Sequence, residues 1–252
     1  MTDQAQALRA LMEKRRSTIK LANAGEETSS AQVLGISSAK GGVGKTTLAI
    51  QSANSLAKAG KKVCVWDVDG NASHDLLNGF QHNWTVSHVL TGARTAEDIL
   101  TAGPNSVQFV MGNGVSNLTT ALWGESQAIQ TAIQTWEQLF DVIILDLPST
   151  AVREVQSLIA ACDTAWMICT PEPTAVAATY SFIKKCPHLL SQISLLINQA
   201  ESSEQAFDVI DRLQQTTRLF LQRDAETAGF VPKDTQAKDS HFSAEVSEIV
   251  EG

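Results

Sequence analysis

Short apolar runs and amphipathic segments alternate along the chain from Val33 to Pro232. Seven apolar runs predict β-strands, at residues 33–37, 62–67, 107–111, 141–146, 164–170, 193–198 and 229–232. Segments with apolar residues at helical spacing separate most of these runs, at residues 46–60, 127–140, 151–162, 174–186 and 204–222. This alternation is typical of parallel strands that are buried on both faces. It predicts an α/β fold with a doubly wound, mainly parallel sheet of about seven strands flanked by helices.

The first residues follow a different pattern. Ala5, Leu8, Leu11 and Met12 share one face of a predicted helix. An isolated helix this short is marginal in water, so it needs a surface to pack on, either its own domain or a partner protein. A polar stretch rich in serine, alanine and glutamate follows, with one glycine, and is typical of a linker. The predicted parts are therefore a helix at 1–16, a flexible linker at 17–31 and one large domain at 32–252.

Charge and cysteine spacing narrow the function. The 252-residue chain has a net charge of −8, which argues against DNA binding because that binding depends on basic side chains at phosphates. Its four cysteines form no C-x-x-C pair and its five histidines have no metal-ligand spacing, so reduced, partly buried thiols are expected rather than a zinc or iron site. No apolar run is long enough to span a bilayer, and the polar N-terminus has no signal core, so a cytoplasmic protein is expected.

A glycine-rich stretch, SSAKGGVGKTTLA, joins the first predicted strand to the first long helix. Its glycines let backbone N–H groups turn inward, and the start of a helix adds positive partial charge, so the stretch can hold phosphates. Lys45 would pair with the β- and γ-phosphates and the Thr46 hydroxyl would ligate Mg²⁺, although Ala39 replaces the first glycine of the standard loop. The predicted nucleotide-binding residues of this loop are Gly41, Gly42, Val43, Gly44, Lys45, Thr46 and Thr47.

Carboxylates stand at the ends of two other predicted strands. Asp67 ends one and Asp69 follows it by two residues in WDVDGN, and Asp146 ends another in IILDLPST. Acidic residues in these positions can hold Mg²⁺ or orient an attacking water. Because the carboxyl ends of parallel strands meet at one edge of a sheet, these residues and the glycine-rich loop predict one nucleotide site. Thr46, Asp67 and Asp146 are its predicted metal-binding residues.

The loop with its additional lysine, Lys40, resembles the deviant Walker A loop of MinD/ParA-type ATPases, and the resemblance spans residues 33–234. In that family the additional lysine reaches across a dimer to the nucleotide of the second subunit. Two other stretches are similar to the FlhG group of the family, also called YlxH or FleN. They are TPEPTAVAATYSFIK at 170–184 and DQAQALR at 3–9. FlhG proteins control flagellar number and placement, and their N-terminal helix stimulates the GTPase of FlhF, a signal-recognition-particle-type protein.

The resemblance implies roles for individual residues. Lys40, Lys45 and Asp69 would be catalytic, and Asp69 would position the hydrolytic water. Asn198 would contact adenine and Pro232 would wall the base. The implied partner-binding residues are Asp3, Gln4, Ala5, Leu8 and Arg9. The implied cofactors are ATP and Mg²⁺, and the implied partners are an FlhF-type GTPase, a second copy of the chain, and components of the flagellar basal body or of transcription.

The chain also departs from the family pattern. The segment DVDGNASHD is one residue shorter than usual, Thr150 stands at a family glycine, and Ala178 stands at a family acidic residue. The basic membrane-targeting helix of the family is not evident at 238–252, where acidic side chains predominate. Anionic lipid surfaces repel such a segment, so membrane binding through it is not expected.

Three functions stay open on this sequence. The first is a slowly hydrolysing, ATP-dependent dimer switch that regulates flagellar number or placement, in the cytoplasm or at the cell pole or flagellar base. The altered loops favour a second, a nucleotide-binding scaffold with little hydrolysis whose N-terminal helix acts on the GTPase. The third is a ParA-like cargo-positioning ATPase, which would need a basic DNA-facing surface that the net charge of −8 disfavours.

Overall fold

A computed structural model describes residues 31–68, 84–112, 127–149 and 153–233. The predicted helix at 1–16, the linker up to residue 30 and the acidic tail lie outside these described residues, so their predicted roles stay predictions. Within the described residues, no helix has both the length and the hydropathy that a membrane span requires.

One sheet organises the described part of the chain. Its strands are β1 (Gln32–Ser38), β2 (Val63–Asp67), β3 (Thr101–Ala102), β4 (Gln108–Met111), β5 (Val142–Asp146), β6 (Thr164–Cys169), β7 (Ile193–Ala200) and β8 (Glu226–Pro232). Their order is β3-β4-β2-β5-β1-β6-β7-β8, and every neighbouring pair is parallel except β3–β4. The predicted mainly parallel α/β sheet is confirmed. It has eight strands rather than about seven because the two residues of β3 are too few to show a hydrophobic pattern.

Helices connect the strands and cover the sheet. They are α1 (Lys45–Lys58), α2 (Val86–Leu90), α3 (Gln127–Leu139), α4 (Arg153–Ala161), α5 (Pro173–Lys185) and α6 (Ser203–Leu221). Short 3₁₀ turns lie at Pro104–Ser106 and Pro187–Leu189. The sequence pattern did not predict α2, because its five residues make little more than one helical turn.

The sheet is buried on both faces. Leu48 and Leu56 of α1 pack with Ile36 in one hydrophobic cluster. Trp136 of α3 and Phe182 of α5 belong to a second cluster, which also takes in buried residues of α2, α4 and α6. Burial on both faces explains why the strands are almost continuously apolar rather than alternating.

Candidate nucleotide site

The turn between β1 and α1 has the backbone that a phosphate-binding loop needs. Gly42 has a φ of +77° and Gly44 a φ of +90°, in the left-handed region that glycine adopts without steric cost. Gly44 is also the N-cap residue of α1, where the N–H groups of the first turn have no acceptor within the helix. Val43 is buried and anchors the turn in the core, whereas Gly41, Gly42 and Thr47 are exposed. The loop can therefore present backbone N–H groups to an anion.

Oxygen ligands suited to Mg²⁺ lie beside this turn. The hydroxyl of Thr46 donates to Oδ2 of Asp146 at 2.5 Å. Asp146 ends β5 directly opposite Asp67, the last residue of β2, and their exposed fractions are only 5% and 3%. In the described ranges no group of three or more His, Cys, Asp or Glu residues could hold a metal. The Thr46 hydroxyl and the carboxylates of Asp67 and Asp146 nevertheless suit Mg²⁺, which commonly uses one or two protein ligands together with phosphate oxygens and water.

A row of hydrogen bonds extends from Lys45 and includes two serines that the sequence did not predict as site residues. Lys45 Nζ donates to Ser149 Oγ at 2.8 Å. Ser149 Oγ lies 2.8 Å from Ser38 Oγ, which is 2.7 Å from the carbonyl oxygen of Lys40. Ser38 ends β1, and Ser149 follows β5 by three residues. Their position at or just after the end of a strand is the sequence signal that could have identified them, because loops at that edge of the sheet form ligand sites.

Lys40 points to another part of its own chain. Its ammonium donates to Glu172 Oε2 in a short contact and to Thr174 Oγ1 at 3.0 Å. This hydrogen bond, and then the positive charge of Lys40, hold the pKa of the Glu172 carboxyl below its ordinary value. Glu172 is the N-cap residue of α5, so Lys40 connects the glycine-rich turn with the start of that helix. Neither Glu172 nor Thr174 was singled out by the sequence.

Asn198 and Pro232 lie at the ends of β7 and β8. Asn198 is 4% exposed, and its Nδ2 donates to the carbonyl oxygen of Val43 at 2.7 Å. Its Oδ1 accepts from the backbone N–H of Gln199 at 3.0 Å. Asn198 thus fastens the glycine-rich turn to β7, a role that the sequence did not suggest. The adenine contacts expected of Asn198 and Pro232 stay predictions.

The other predicted site residues fall outside the described part of the chain. They are Asp69, Asp3, Gln4, Ala5, Leu8 and Arg9. The structure therefore brings Lys45, Thr46 and Asp146 together at one sheet edge, with Asp67 on the adjacent strand end. It gives no position for the residue expected to orient the attacking water.

Comparison with known proteins identifies relatives of this chain. A family model described as an AAA domain matches residues 31–200. The chain is 26% identical to the antiactivator FleN of Pseudomonas aeruginosa over 211 residues, which cover 82% of this chain and 75% of FleN. It is 26% identical to the flagellum site-determining protein YlxH of Helicobacter pylori over 183 residues, covering 71% of this chain and 62% of YlxH.

A solved structure supports the same fold. The septum site-determining protein MinD of Pyrococcus horikoshii, complexed with Mg-ADP, superposes with a TM-score of 0.64. The match covers 88% of this chain and 96% of that one at 19% sequence identity. At this identity the likeness concerns the arrangement of strands and helices.

Proposed function

This chain belongs to the AAA domain family and is a MinD/ParA-type ATPase related to the FlhG group, and on that premise we propose that it is an ATP-dependent dimer switch in flagellar number or placement. One observation carries the nucleotide part of this proposal: Lys45, Thr46 and Asp146 converge beside the Gly42–Gly44 turn. Lys45 would pair with phosphates, and Thr46 and Asp146 would hold Mg²⁺. The name of the relative YlxH, a flagellum site-determining protein, supports the flagellar part.

The dimer part of the proposal rests on Lys40. A phosphate-binding loop needs one lysine, and Lys45 already occupies that position at the start of α1. The Lys40 side chain is 39% exposed and extends toward α5 rather than into its own loop. We infer that it contacts the nucleotide of a second copy, as the resemblance implies, so that ATP closes a dimer and slow hydrolysis with Asp69 opens it.

The N-terminal part of the proposal concerns a partner. The stretch DQAQALR supports binding of residues 1–16 to an FlhF-type GTPase. GTPase activity of the cognate enzyme should rise with the full chain and with a peptide of residues 1–16, and should not rise with a chain that lacks them. A full chain and a truncated chain that stimulate equally would contradict this role.

Light scattering after size-exclusion chromatography tests the dimer switch. The wild type should be a monomer with Mg-ADP and a dimer with a non-hydrolysable ATP analogue. Lys40→Ala should bind the analogue but stay monomeric, and Lys45→Ala should bind at least about ten-fold more weakly because it loses charge-assisted hydrogen bonds to phosphate. Lys58→Ala, at the exposed end of α1, is the matched control and should dimerise normally.

The wild type and Asp69→Ala separate the switch from a nucleotide-binding scaffold, which Thr150 and the shortened DVDGNASHD segment favour. A scaffold would bind the analogue without forming a dimer, and Asp69→Ala would leave its small ATPase rate unchanged. A switch would lose its ATPase rate in Asp69→Ala while keeping ATP-dependent dimerisation. An analogue-bound wild type that stays monomeric would overturn the switch.

A further inference from the structure

Four groups, three from residues 38–45 and one from Ser149, form one hydrogen-bonded row that ends at Lys45. They are Lys45 Nζ, Ser149 Oγ, Ser38 Oγ and the carbonyl oxygen of Lys40, at successive distances of 2.8, 2.8 and 2.7 Å. Ser38 is fully buried and Ser149 is half-buried. Lys45 and Ser149 are 104 residues apart in sequence. The row therefore joins the start of α1, the end of β1 and the loop that follows β5.

The chemistry of the groups sets the direction of the row. A carbonyl oxygen can only accept a hydrogen bond, so the Ser38 hydroxyl donates its single proton to the carbonyl oxygen of Lys40. The contact between the two serines must then use the proton of Ser149. An ammonium can only donate, so Lys45 donates to Ser149. Each hydroxyl donates once and accepts once, and the charge of Lys45 polarises the whole row.

This arrangement fixes the orientation of the Ser149 hydroxyl. Its proton is committed to Ser38, so its lone pairs face Lys45. A neutral hydroxyl is a weaker acceptor for an ammonium than a charged phosphate oxygen. Ser149 therefore satisfies Lys45 without competing strongly against the ligand that the lysine is expected to bind.

We propose that Ser149 is a positioning residue that holds Lys45 in the nucleotide-free protein and yields it to phosphate. The proposal rests on the nucleotide site of the proposed function. When Lys45 turns to phosphate, Ser149 loses its donor, and the row between the loop after β5 and the Lys40 backbone loses its charged end. Occupancy of the site is thereby communicated to Ser149, in the loop that follows β5, and through it to Ser38.

Nucleotide affinity gives the first test. Ser149→Ala should bind Mg-ADP about two- to ten-fold more tightly than the wild type, since one net hydrogen bond no longer has to be exchanged. Binding is measured by titration with a fluorescent ADP and by competition with unlabelled ADP. Ser149→Thr keeps the hydroxyl and should bind like the wild type. Ser149→Val has the shape of Ser149→Thr without the hydroxyl, so it should bind like Ser149→Ala. Ser37→Ala, a neighbouring buried serine outside the row, is the control.

Thermal unfolding without nucleotide gives a second test that does not depend on binding. Ser149→Ala should lower Tm in the wild type but have a clearly smaller effect in a Lys45→Ala background, because Ser149 acts through Lys45. Equal effects in both backgrounds would overturn the proposal. So would a folded Ser149→Ala that binds Mg-ADP no more tightly than the wild type while Lys45→Ala still binds at least about ten-fold more weakly. A wild type that binds neither Mg-ADP nor Mg-ATP would instead contradict the proposed function, and the unfolding test would still decide the role of Ser149.

Discussion

Gly44 shows how strictly one residue can be specified in the glycine-rich turn. Its φ is +90°, and a Cβ added there would lie 2.5 Å from Nδ2 of Asn198. That same amide donates to Val43, so Asn198 cannot move away without releasing the turn. Gly41 differs in both respects, because its backbone is not in the left-handed region and a Cβ would meet nothing within 4 Å. The sequence shows three glycines within residues 41–44, but only the structure shows which of them must be glycine.

Substitution of these two glycines should have unequal effects. Gly44→Ala should lower the free energy of unfolding by about 1–3 kcal/mol through backbone strain and collision, and should weaken nucleotide binding. Gly41→Ala is the matched control and should stay within about 0.5 kcal/mol of the wild type. Urea unfolding followed by circular dichroism measures both. Indistinguishable unfolding curves for the two variants would show that the turn adapts to a side chain at residue 44.

At the scale of elements, one lysine joins the loop before α1 to the start of α5. Lys40 contacts Glu172 and Thr174 within its own chain, and the proposed dimer needs the same ammonium at a second subunit. The contact within the chain and the contact between subunits therefore compete for one side chain. Because the Glu172 carboxyl and the lysine are both substantially exposed, the competition is weak enough to be reversed by a nucleotide.

Glu172→Gln should favour the dimer. Loss of the charge frees Lys40, so the dissociation constant of the ATP-analogue dimer should fall by about two- to five-fold, the range expected of an exposed ion pair. Glu204→Gln, in the exposed first turn of α6, is the control. Since Lys40 lowers the pKa of Glu172, the carboxylate stays charged well below neutral pH and the contact is lost only as pH falls through that lowered pKa. The difference between variant and wild type, measured by sedimentation, should therefore be constant from about pH 6 to 8. A weaker dimer in Glu172→Gln would mean that Glu172 acts between subunits.

At the scale of the whole molecule, the core encloses all four cysteines. Cys64, Cys162, Cys169 and Cys186 are free thiols, as the sequence predicts, and all four are buried rather than partly buried. Burial raises the pKa of the Cys64 thiol, and it also raises the pKa of Cys169 against the smaller opposing effect of a hydrogen bond with Thr179. In the unfolded chain these thiols ionise near pH 8.5. The folded state therefore holds protons that the unfolded state releases at alkaline pH.

Stability should consequently decline in alkali. When folding raises the pKa of a group, that group does not change the free energy of unfolding at pH values below its unfolded pKa. Above that value the free energy of unfolding falls as pH rises. The urea midpoint should be lower at pH 10 than at pH 8, and Cys64→Ala should flatten the decline while lowering stability at pH 7 through the cavity it leaves.

A thiol reagent at pH 8 should label the native protein slowly and all four cysteines after unfolding. Rapid labelling of the native protein would contradict this view of the core.

The sequence by itself determined the α/β class and the seven longer strands, and it predicts that Lys45, Thr46 and Asp146 serve a nucleotide. These follow from local patterns, because a strand or helix of adequate length records its burial in its own residues. The two-residue strand β3 and the five-residue helix α2 are too short for such a record. Strand ends also predicted the edge of the sheet at which the site lies, since parallel strands gather their carboxyl ends there.

Only the tertiary structure decided which loops meet at that edge. The contact of Lys45 with Ser149 spans 104 residues, and that of Lys40 with Glu172 spans 132. Strand order and register set both contacts, because β5 and β6 flank β1 on either side. No local periodicity encodes that order. The sequence therefore predicts part of the site, and the packing of distant strands decides that Ser149 and Glu172 join it.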